Sequence, residues 1–259
     1  MGMIQKKISL LLVGITFALH AAFAFADSIQ GCKEYSTLGI PDKKGELLCR
    51  KGYLLAHSPE NKTPIWVIEH LTAEKASGTL PRYNKFEPDP DLSEGERAEI
   101  SDYKGSGYDR GHMAPSADMR WDQQAMEECF YLSNMIPQVG KGMNQGIWKD
   151  LEERVRDWAL SRGDLYIFTG PIYADSPKKT IGTNKVAVPS HLYKIVYDPH
   201  KTEAIAFIMP NEKLVNSDMP KYIVTIREVE RKTGLDFLSK LDIHVQDVIE
   251  NKKATELWQ

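Results

Sequence analysis

Short apolar segments bounded by turn residues constrain the fold of this chain more than any other feature. Residues 52–59 (GYLLAHSP) and 63–71 (TPIWVIEHL) have the length and composition of two strands joined by a turn. Residues 164–173 (DLYIFTGPIY) form a third segment of this kind, and residues 191–211 predict a hairpin. Strands joined by such short turns pair antiparallel, so the sequence predicts a mainly antiparallel sheet.

Three further stretches predict helices. The best of them covers residues 143–161, where apolar side chains recur at helical spacing. Residues 122–130 suit a short helix, and Thr225 with Glu228 three positions later forms a capping box that opens a helix over 225–234. Strands predominate over helices, so the predicted class is α+β around a mainly antiparallel sheet core.

The first 26 residues have the pattern of a cleaved signal peptide. Two lysines precede an apolar run over residues 8–25, and Ala24-Phe25-Ala26 has the small-x-small pattern of a cleavage site. The alternative is an uncleaved membrane anchor, for which the run is short and is interrupted by His20. Cleavage predicts a periplasmic or secreted protein without a membrane anchor, in which residues 27–259 form a single domain.

The cysteines and the charge balance extend this interpretation. Export implies an oxidising compartment, and Cys32 and Cys49 are close in sequence, so they are the predicted disulfide. Cys129 lies in an apolar context and is predicted to be buried and unreactive. The formal net charge of −3 argues against a protein that coats nucleic acid through its overall charge, but it does not exclude a local basic groove.

Residues 109–112 (DRGH) place reactive side chains in consecutive positions. If this stretch is extended, Arg110 and His112 share one face, and Gly111 leaves the backbone open to close approach by another segment or a ligand. An imidazole can act as a general base on water, and a guanidinium can hold a phosphate in its fork. The alternative is that Arg110 pairs with a nearby acid and His112 is a packed structural residue.

An amide and an acid follow further along the chain. Asn144 and Glu152 are eight positions apart at the front of the predicted long helix, so both can face broadly the same way. An amide oxygen is a hard ligand that suits Mg²⁺ with most of its waters retained, and Glu152 could ligate the ion or orient one of those waters. The alternatives are that Asn144 is a helix N-cap and that Glu152 is an exposed partner of Lys149 or Arg156.

Three motifs, in this order and spacing, resemble the DNA/RNA non-specific endonucleases, the ββα-metal nuclease family of endonuclease G-like enzymes. They are DRGH at 109–112, YLSNMIPQ at 131–138 and NQGIWKDLE at 144–152. The resemblance runs from about Tyr53 to Phe237, nearly the whole chain after the signal segment. It implies a mainly antiparallel sheet core with a ββα-metal finger motif and a long metal-bearing helix.

The resemblance assigns the central roles of the reaction. His112 corresponds to the general base. Asn144 corresponds to the only direct protein ligand of a single Mg²⁺, for which Mn²⁺ is an expected substitute. Glu152 corresponds to the acid that holds water at the ion.

The resemblance also implies residues that support this centre. Arg110 corresponds to the arginine near the scissile phosphate, and Arg82, in the irregular crossing of residues 76–107, corresponds to a second phosphate arginine. Asn134 corresponds to an amide that supports the site, whereas Asp109 is expected to orient its loop without binding the ion. Candidate groove residues are Arg82, Arg110, Arg120 and Lys141, each of which could equally be a solvated surface charge.

The implied activity is that of an exported, Mg²⁺-dependent, sugar-non-specific endonuclease. Such an enzyme hydrolyses DNA and RNA to 5′-phosphate ends, with contacts mainly to sugar and phosphate. Two alternatives remain: a catalytically silent nucleic-acid-binding module of the same fold, and a phosphodiesterase that acts on small nucleotides. The sequence leaves open the preference between DNA and RNA and the oligomeric state, a homodimer included.

Overall fold

A seven-stranded antiparallel sheet forms the centre of the computed structural model, which describes residues 30–173 and 179–259. The strands in chain order are β1 (Glu46–Cys49), β2 (Leu54–Ser58), β3 (Thr63–Thr72), β4 (Asp109–His112), β5 (Met135–Gln138), β6 (Asp164–Ile172), β7 (Thr180–Ile181), β8 (Val186–Ala187), β9 (His191–Asp198), β10 (Glu203–Pro210) and β11 (Ile223–Val224). The large sheet has the order β1-β2-β3-β6-β9-β10-β11, and all its neighbours pair antiparallel, as predicted. Two separate ribbons pair β4 with β5 and β7 with β8.

The helices cover both faces of this sheet. They are α1 (Ala73–Ala76), α2 (Ile100–Tyr103), α3 (Gln123–Glu128), α4 (Trp148–Arg162), α5 (Ile226–Thr233) and α6 (Ile243–Asn251). The capping box predicted at the start of α5 is confirmed on the threonine side, since Thr225 accepts a hydrogen bond from the Glu228 backbone N–H at 3.0 Å. Helix α6 was not predicted from the sequence, because two of its three buried residues, Gln246 and Glu250, are polar.

Side chains alternate between the two faces of the central strands, and this divides the apolar core into two clusters. Val67 on β3 and Ile167 on β6 pack in the cluster beneath α4, whereas their chain neighbours Ile68 and Phe168 pack in the cluster on the opposite face. A sheet that is covered on both faces needs apolar side chains at both the odd and the even positions of its strands. The sequences of these strands are therefore nearly continuous apolar runs.

The predicted long helix begins later than its apolar periodicity indicates. Residues Gly140–Ile147 form a kinked turn of π type, in which Gly142 has a φ of 88° and Gly146 has φ −137° and ψ −116°. Neither conformation is helical, so the α-helix starts only at Trp148. Asn144 and Glu152 therefore do not share one continuous helix as predicted, because a kink separates them, although both still face the same concave surface.

The cysteine predictions are confirmed. Cys32 and Cys49 form a disulfide, with their Cα atoms 5.7 Å apart, and Cys129 is a free buried thiol. The predicted signal peptide, residues 1–26, lies outside the described residues. Among the helices that the structure describes, none combines the length and the apolar composition needed to cross a bilayer.

Candidate active site

A cleft of about 660 Å³ opens where β4, the start of α4 and the irregular crossing of residues 76–107 meet. Five of the residues predicted for the site line this cleft: Arg82, Arg110, His112, Asn144 and Glu152. The sixth, Asn134, is completely buried behind it. The fold therefore brings side chains from three separate parts of the sequence to one concave surface.

The ribbon of β4 and β5 presents Arg110 and His112 to the cleft. The two strands pair antiparallel, with Gly111 opposite Ile136. A Cβ atom at Gly111 would overlap the side chain of Gln138 on β5, so the close approach expected at this glycine is made by the neighbouring strand. Because side chains alternate along an extended strand, Arg110 and His112 lie on the same face of β4 and both point to the cleft.

His112 is neutral and enclosed by aromatic rings. Its side chain is 8% exposed, and its ring centroid lies 5.1 Å from that of Phe130 and 5.6 Å from that of Phe86. Burial, together with the positive charges of Arg82 and Arg110, lowers the pKa of His112 to about 3. Its Nε2 atom is buried and has no hydrogen-bond partner within the described residues. A neutral imidazole keeps one ring nitrogen that can accept a proton.

The two arginines lie over the same aromatic rings. The guanidinium carbon of Arg110 is 4.2 Å from the centroid of Phe86, and that of Arg82 is 4.9 Å from the centroid of Phe130. Arg82 also donates a hydrogen bond to the hydroxyl of Ser116. In the described part of the chain neither arginine forms an ion pair, so the pairing considered for Arg110 is not present there and both charges are available to an anion.

Asp109 fixes the amide of Asn144. Its Oδ2 atom accepts hydrogen bonds from Asn144 Nδ2 at 2.9 Å and from Gln145 Nε2 at 2.8 Å. Gly140 allows this contact, because a Cβ there would lie 2.9 Å from Asp109 Oδ2. Since the amide nitrogen is engaged, the carboxamide oxygen of Asn144 is the atom left to bind a cation. The N-cap of α4 is Ile147, so the alternative role considered for Asn144 is excluded.

Glu152 has no direct ion pair on its own helix. Lys149 pairs with Glu153 at 2.9 Å, and Arg156 pairs with Asp118 at 2.8 Å, so neither base pairs with Glu152 as the alternative supposed. Its carboxylate remains at the cleft wall.

The electrostatic surroundings of Glu152 place it close to its titration point. Burial raises the pKa of Glu152 to about 7, and the charge of Asp118 acts in the same direction. The positive charges of Lys194, Arg156 and Arg82 oppose this rise. A small change in any of these groups therefore changes how much of Glu152 is ionised near neutral pH.

Asn134 holds the chain that follows His112. Its Nδ2 atom donates to the carbonyl oxygens of Ala114 and Cys129, each at 2.9 Å, and its Oδ1 atom accepts from the Ala114 backbone N–H at 2.9 Å. All these bonds are made inside the protein, so Asn134 helps to position the segment that directly follows His112.

The donor set of the cleft suits a hard, hydrated cation. Within residues 30–173 and 179–259, no group of three or more His, Cys, Asp or Glu side chains is arranged to hold a metal ion. The residues that fit such an ion are the fixed amide of Asn144 and the carboxylate of Glu152. A site with so few protein ligands suits Mg²⁺, which keeps several of its waters.

Some residues of the cleft had no assigned role from the sequence. Arg156 follows Glu152 by one helical turn, so helical spacing could have found it. Phe86 and Ser116 gave no such signal, because their contacts depend on tertiary structure. Arg120, considered as a groove residue, does not line the cleft, since its guanidinium donates to the carbonyl oxygens of residues 79 and 80 at 3.0 and 2.8 Å.

The chain is similar to known nucleases in sequence and in structure. The model of the family described as DNA/RNA non-specific endonuclease matches residues 34–243. Nuclease C1 from Cunninghamella echinulata var. echinulata is 37% identical over 220 residues, which cover 79% of this chain and 87% of that protein. Endonuclease G from Homo sapiens is 34% identical over 222 residues, which cover 80% and 74%. The crystal structure of the EndoG/EndoGI complex matches with a TM-score of 0.77 and 33% identity, covering 82% of this chain and 93% of that chain.

The relatives also correct the predicted localisation. Endonuclease G from Homo sapiens is mitochondrial by name, and so are nucleases from Xenopus laevis, Schizosaccharomyces pombe, Caenorhabditis elegans and Saccharomyces cerevisiae. The prediction of a periplasmic or secreted protein is therefore wrong: it was made from the first 26 residues alone, and these relatives contradict it.

Proposed function

The chain belongs to the DNA/RNA non-specific endonuclease family and is a nucleic-acid hydrolase, and we propose that it cuts phosphodiester bonds inside both DNA and RNA to leave 5′-phosphate ends. The observation that carries this proposal is one cleft that combines a neutral buried histidine, a fixed amide and two arginines that form no ion pair with any described residue. Residues 27–259 are proposed to form a single endonuclease domain.

His112 is the proposed general base. A water molecule attacks phosphorus, its proton passes to the imidazole of His112, and the bond from phosphorus to O3′ breaks. The leaving O3′ becomes a hydroxyl by taking a proton from solvent, so the products are a 5′-phosphate and a 3′-hydroxyl. The lowered pKa keeps the ring unprotonated near neutral pH, which is the form that a general base needs.

Arg110 and Arg82 are proposed to bind the non-bridging oxygens of the scissile phosphate. A guanidinium offers paired N–H donors that match phosphate oxygens, and stacking on Phe86 and Phe130 restricts its movement before substrate arrives. Donors that are already oriented stabilise the extra negative charge of the transition state without reorganisation.

Asn144 and Glu152 are proposed to hold a single Mg²⁺, with Mn²⁺ as a substitute. The oxygen of Asn144, fixed through Asp109, would ligate the ion, and Glu152 would accept hydrogen bonds from water around it. When bound, the ion would neutralise phosphate charge and ease the departure of O3′. Because these contacts address phosphate and not bases, we expect both DNA and RNA as substrates.

A nicking assay tests this proposal. Purified protein with Mg²⁺ is expected to nick closed circular plasmid DNA and to degrade RNA, and EDTA is expected to stop both. His112→Ala and Asn144→Ala are expected to lose cleavage by a factor of about 100 or more, since each removes a group that acts in the transition state. His112→Ala should still bind DNA in fluorescence anisotropy.

The matched control is His200→Ala, an exposed histidine in the β9–β10 turn, which should cut like the unaltered protein. Hydrolysis of dinucleotides without nicking of closed circles would identify a phosphodiesterase of small substrates and contradict an endonuclease.

A further inference from the structure

A second cavity of about 370 Å³, the side cavity, adjoins the cleft. Lys104 and Tyr108 line both spaces, so the cleft and the side cavity share one wall. Lys179 and strand β7 (Thr180–Ile181) form the opposite wall. Lys104, Tyr108 and Lys179 have no step in the proposed reaction, so their side chains are available for another task.

Contacts inside the protein fix the two walls relative to each other. The side chain of Asp102, from α2, accepts hydrogen bonds from the Asn184 backbone N–H at 3.0 Å and from Asn184 Nδ2 at 3.0 Å. A Cβ atom at Gly182 would overlap Asp102, so the two walls are in close contact there. The carbonyl oxygen of Lys179 accepts a hydrogen bond from the Val188 N–H at 2.8 Å. The side cavity is therefore formed before any ligand arrives.

The charges at the surface of the side cavity are positive. Lys104 and Lys179 are exposed, and within the described residues neither forms an ion pair. Lys179 Nζ lies 5.0 Å from the ring centroid of Tyr108, which limits where this ammonium can be. Asp102 is the only acid among the lining residues, and it is 1% exposed with its oxygens already hydrogen-bonded. Two ammonium groups without an exposed carboxylate suit an anion.

The side cavity lies one short step along the chain from the proposed phosphate arginine. Tyr108 precedes Arg110 by two positions, and two residues of extended chain span roughly 7 Å, which is the scale of one nucleotide. Both side chains line the cleft. A strand whose scissile phosphate lies at Arg110 can therefore pass Tyr108 and bring its next phosphate to the two lysines.

We propose that the side cavity is a subsite for the strand that continues beyond the scissile phosphate, where Lys104 and Lys179 bind a neighbouring backbone phosphate. The proposal rests on the proposed function, because it extends the same site. A lysine binds phosphate as a point charge and reads no base, so the subsite selects for the length of the strand and not for its sequence. The favoured substrates are then oligonucleotides and polynucleotides that carry phosphates on that side of the cut.

Binding across salt concentrations tests the two lysines. In a His112→Ala background with EDTA, Lys104→Gln and Lys179→Gln should each weaken the binding of a long single-stranded oligonucleotide about threefold, and about tenfold together. Each should also reduce the slope of log association constant against log salt by about 1. Lys185→Gln is the matched control, since this exposed lysine lies in the β7–β8 turn and does not line the side cavity. It should change neither quantity.

Kinetics with oligonucleotides of increasing length test the subsite itself. The unaltered protein should show a rising kcat/KM as the strand becomes long enough to enter the side cavity. In the double variant this gain should shrink about tenfold through KM, with kcat unchanged, because the lysines do not touch the reacting atoms.

An unchanged salt slope in the double variant, or an unaltered protein that cuts short and long strands equally well, would overturn the proposal. A loss in Lys185→Gln equal to that in Lys179→Gln would do the same, since it would reveal only the general effect of surface charge. If the unaltered protein cuts nothing, the proposed function fails, and the salt slopes still decide whether the lysines bind the strand.

Discussion

At the scale of single residues, Asp109 decides what Asn144 can bind. Its carboxylate takes both amide nitrogens, of Asn144 and Gln145, so the oxygen of Asn144 is held in one orientation before any cation arrives. Residues that orient a metal ligand in this way contribute to affinity although they do not touch the ion.

Replacing Asp109 should therefore weaken the cation site. We expect Asp109→Ala to raise the Mg²⁺ concentration needed for half-maximal cleavage by a factor of about 10, because the freed amide can turn its nitrogen towards the ion. Calorimetric titration with Mg²⁺ should show the same loss of affinity without substrate. Gln145→Ala is the matched control, since it removes the other donor and leaves Asn144 bound. An equal loss in both variants would contradict this role of Asp109.

Sequence reasoning predicted side chains that line the candidate cleft, but not the contacts that hold them. The DRGH segment and Asn144 stand out because the functional groups of their side chains are known from the sequence alone, without the fold. The bond from Asn144 to Asp109 joins residues 35 positions apart, and the stack of Arg110 on Phe86 joins residues from different segments. Such pairs appear only after folding, so local spacing does not reveal them.

At the scale of elements, two glycines separate the kinked turn of residues Gly140–Ile147 from the helix α4 that follows it. Gly146 interrupts the helix predicted over 143–161, and Gly142 lies just before that range; the non-helical conformations of both place Asn144 on a separate turn before α4. Apolar periodicity reports which side of a segment is buried, and it continued across the kink because both parts face the same core. The strands were easier to predict, since burial on both sides leaves few alternatives for a short apolar run.

The kink should be sensitive to an added side chain at Gly142. Both Gly142 and Gly105 have positive φ, 88° and 70°, so alanine at either position should cost about 1 kcal/mol or more of stability. Only at Gly142 would the new Cβ meet another segment, 2.7 Å from Lys213 Cγ, whereas nothing lies within 4 Å at Gly105. We expect Gly142→Ala to lose cleavage as well as stability, because Asn144 must move.

Urea unfolding and the nicking assay separate the two effects. Gly105→Ala, the control, should lose stability alone and keep its cleavage rate per folded molecule. Unchanged cleavage by Gly142→Ala would show that the turn tolerates the shift and that the position of Asn144 does not depend on this glycine.

At the scale of the whole molecule, an acidic protein carries a small positive surface, which is the proposed binding site for a polyanion. The formal net charge is −3, yet Arg82 and Arg110 lie together in the cleft and form no ion pair within the described residues. Overall repulsion and local attraction are both screened by salt, but only contacts with phosphate release the counter-ions condensed on the nucleic acid. The dependence of affinity on salt therefore counts the contacts that the cleft makes.

Binding measured across salt concentrations should identify those contacts. In a His112→Ala background with EDTA, which prevents cleavage, the logarithm of the DNA association constant should fall linearly with the logarithm of salt concentration. Arg110→Gln and Arg82→Gln should each reduce this slope by about 1, because each removes one phosphate contact. Arg120→Gln, whose guanidinium already binds backbone carbonyls outside the cleft, should leave the slope unchanged. A slope that responds to Arg120 and not to Arg110 would place the nucleic acid on a different surface.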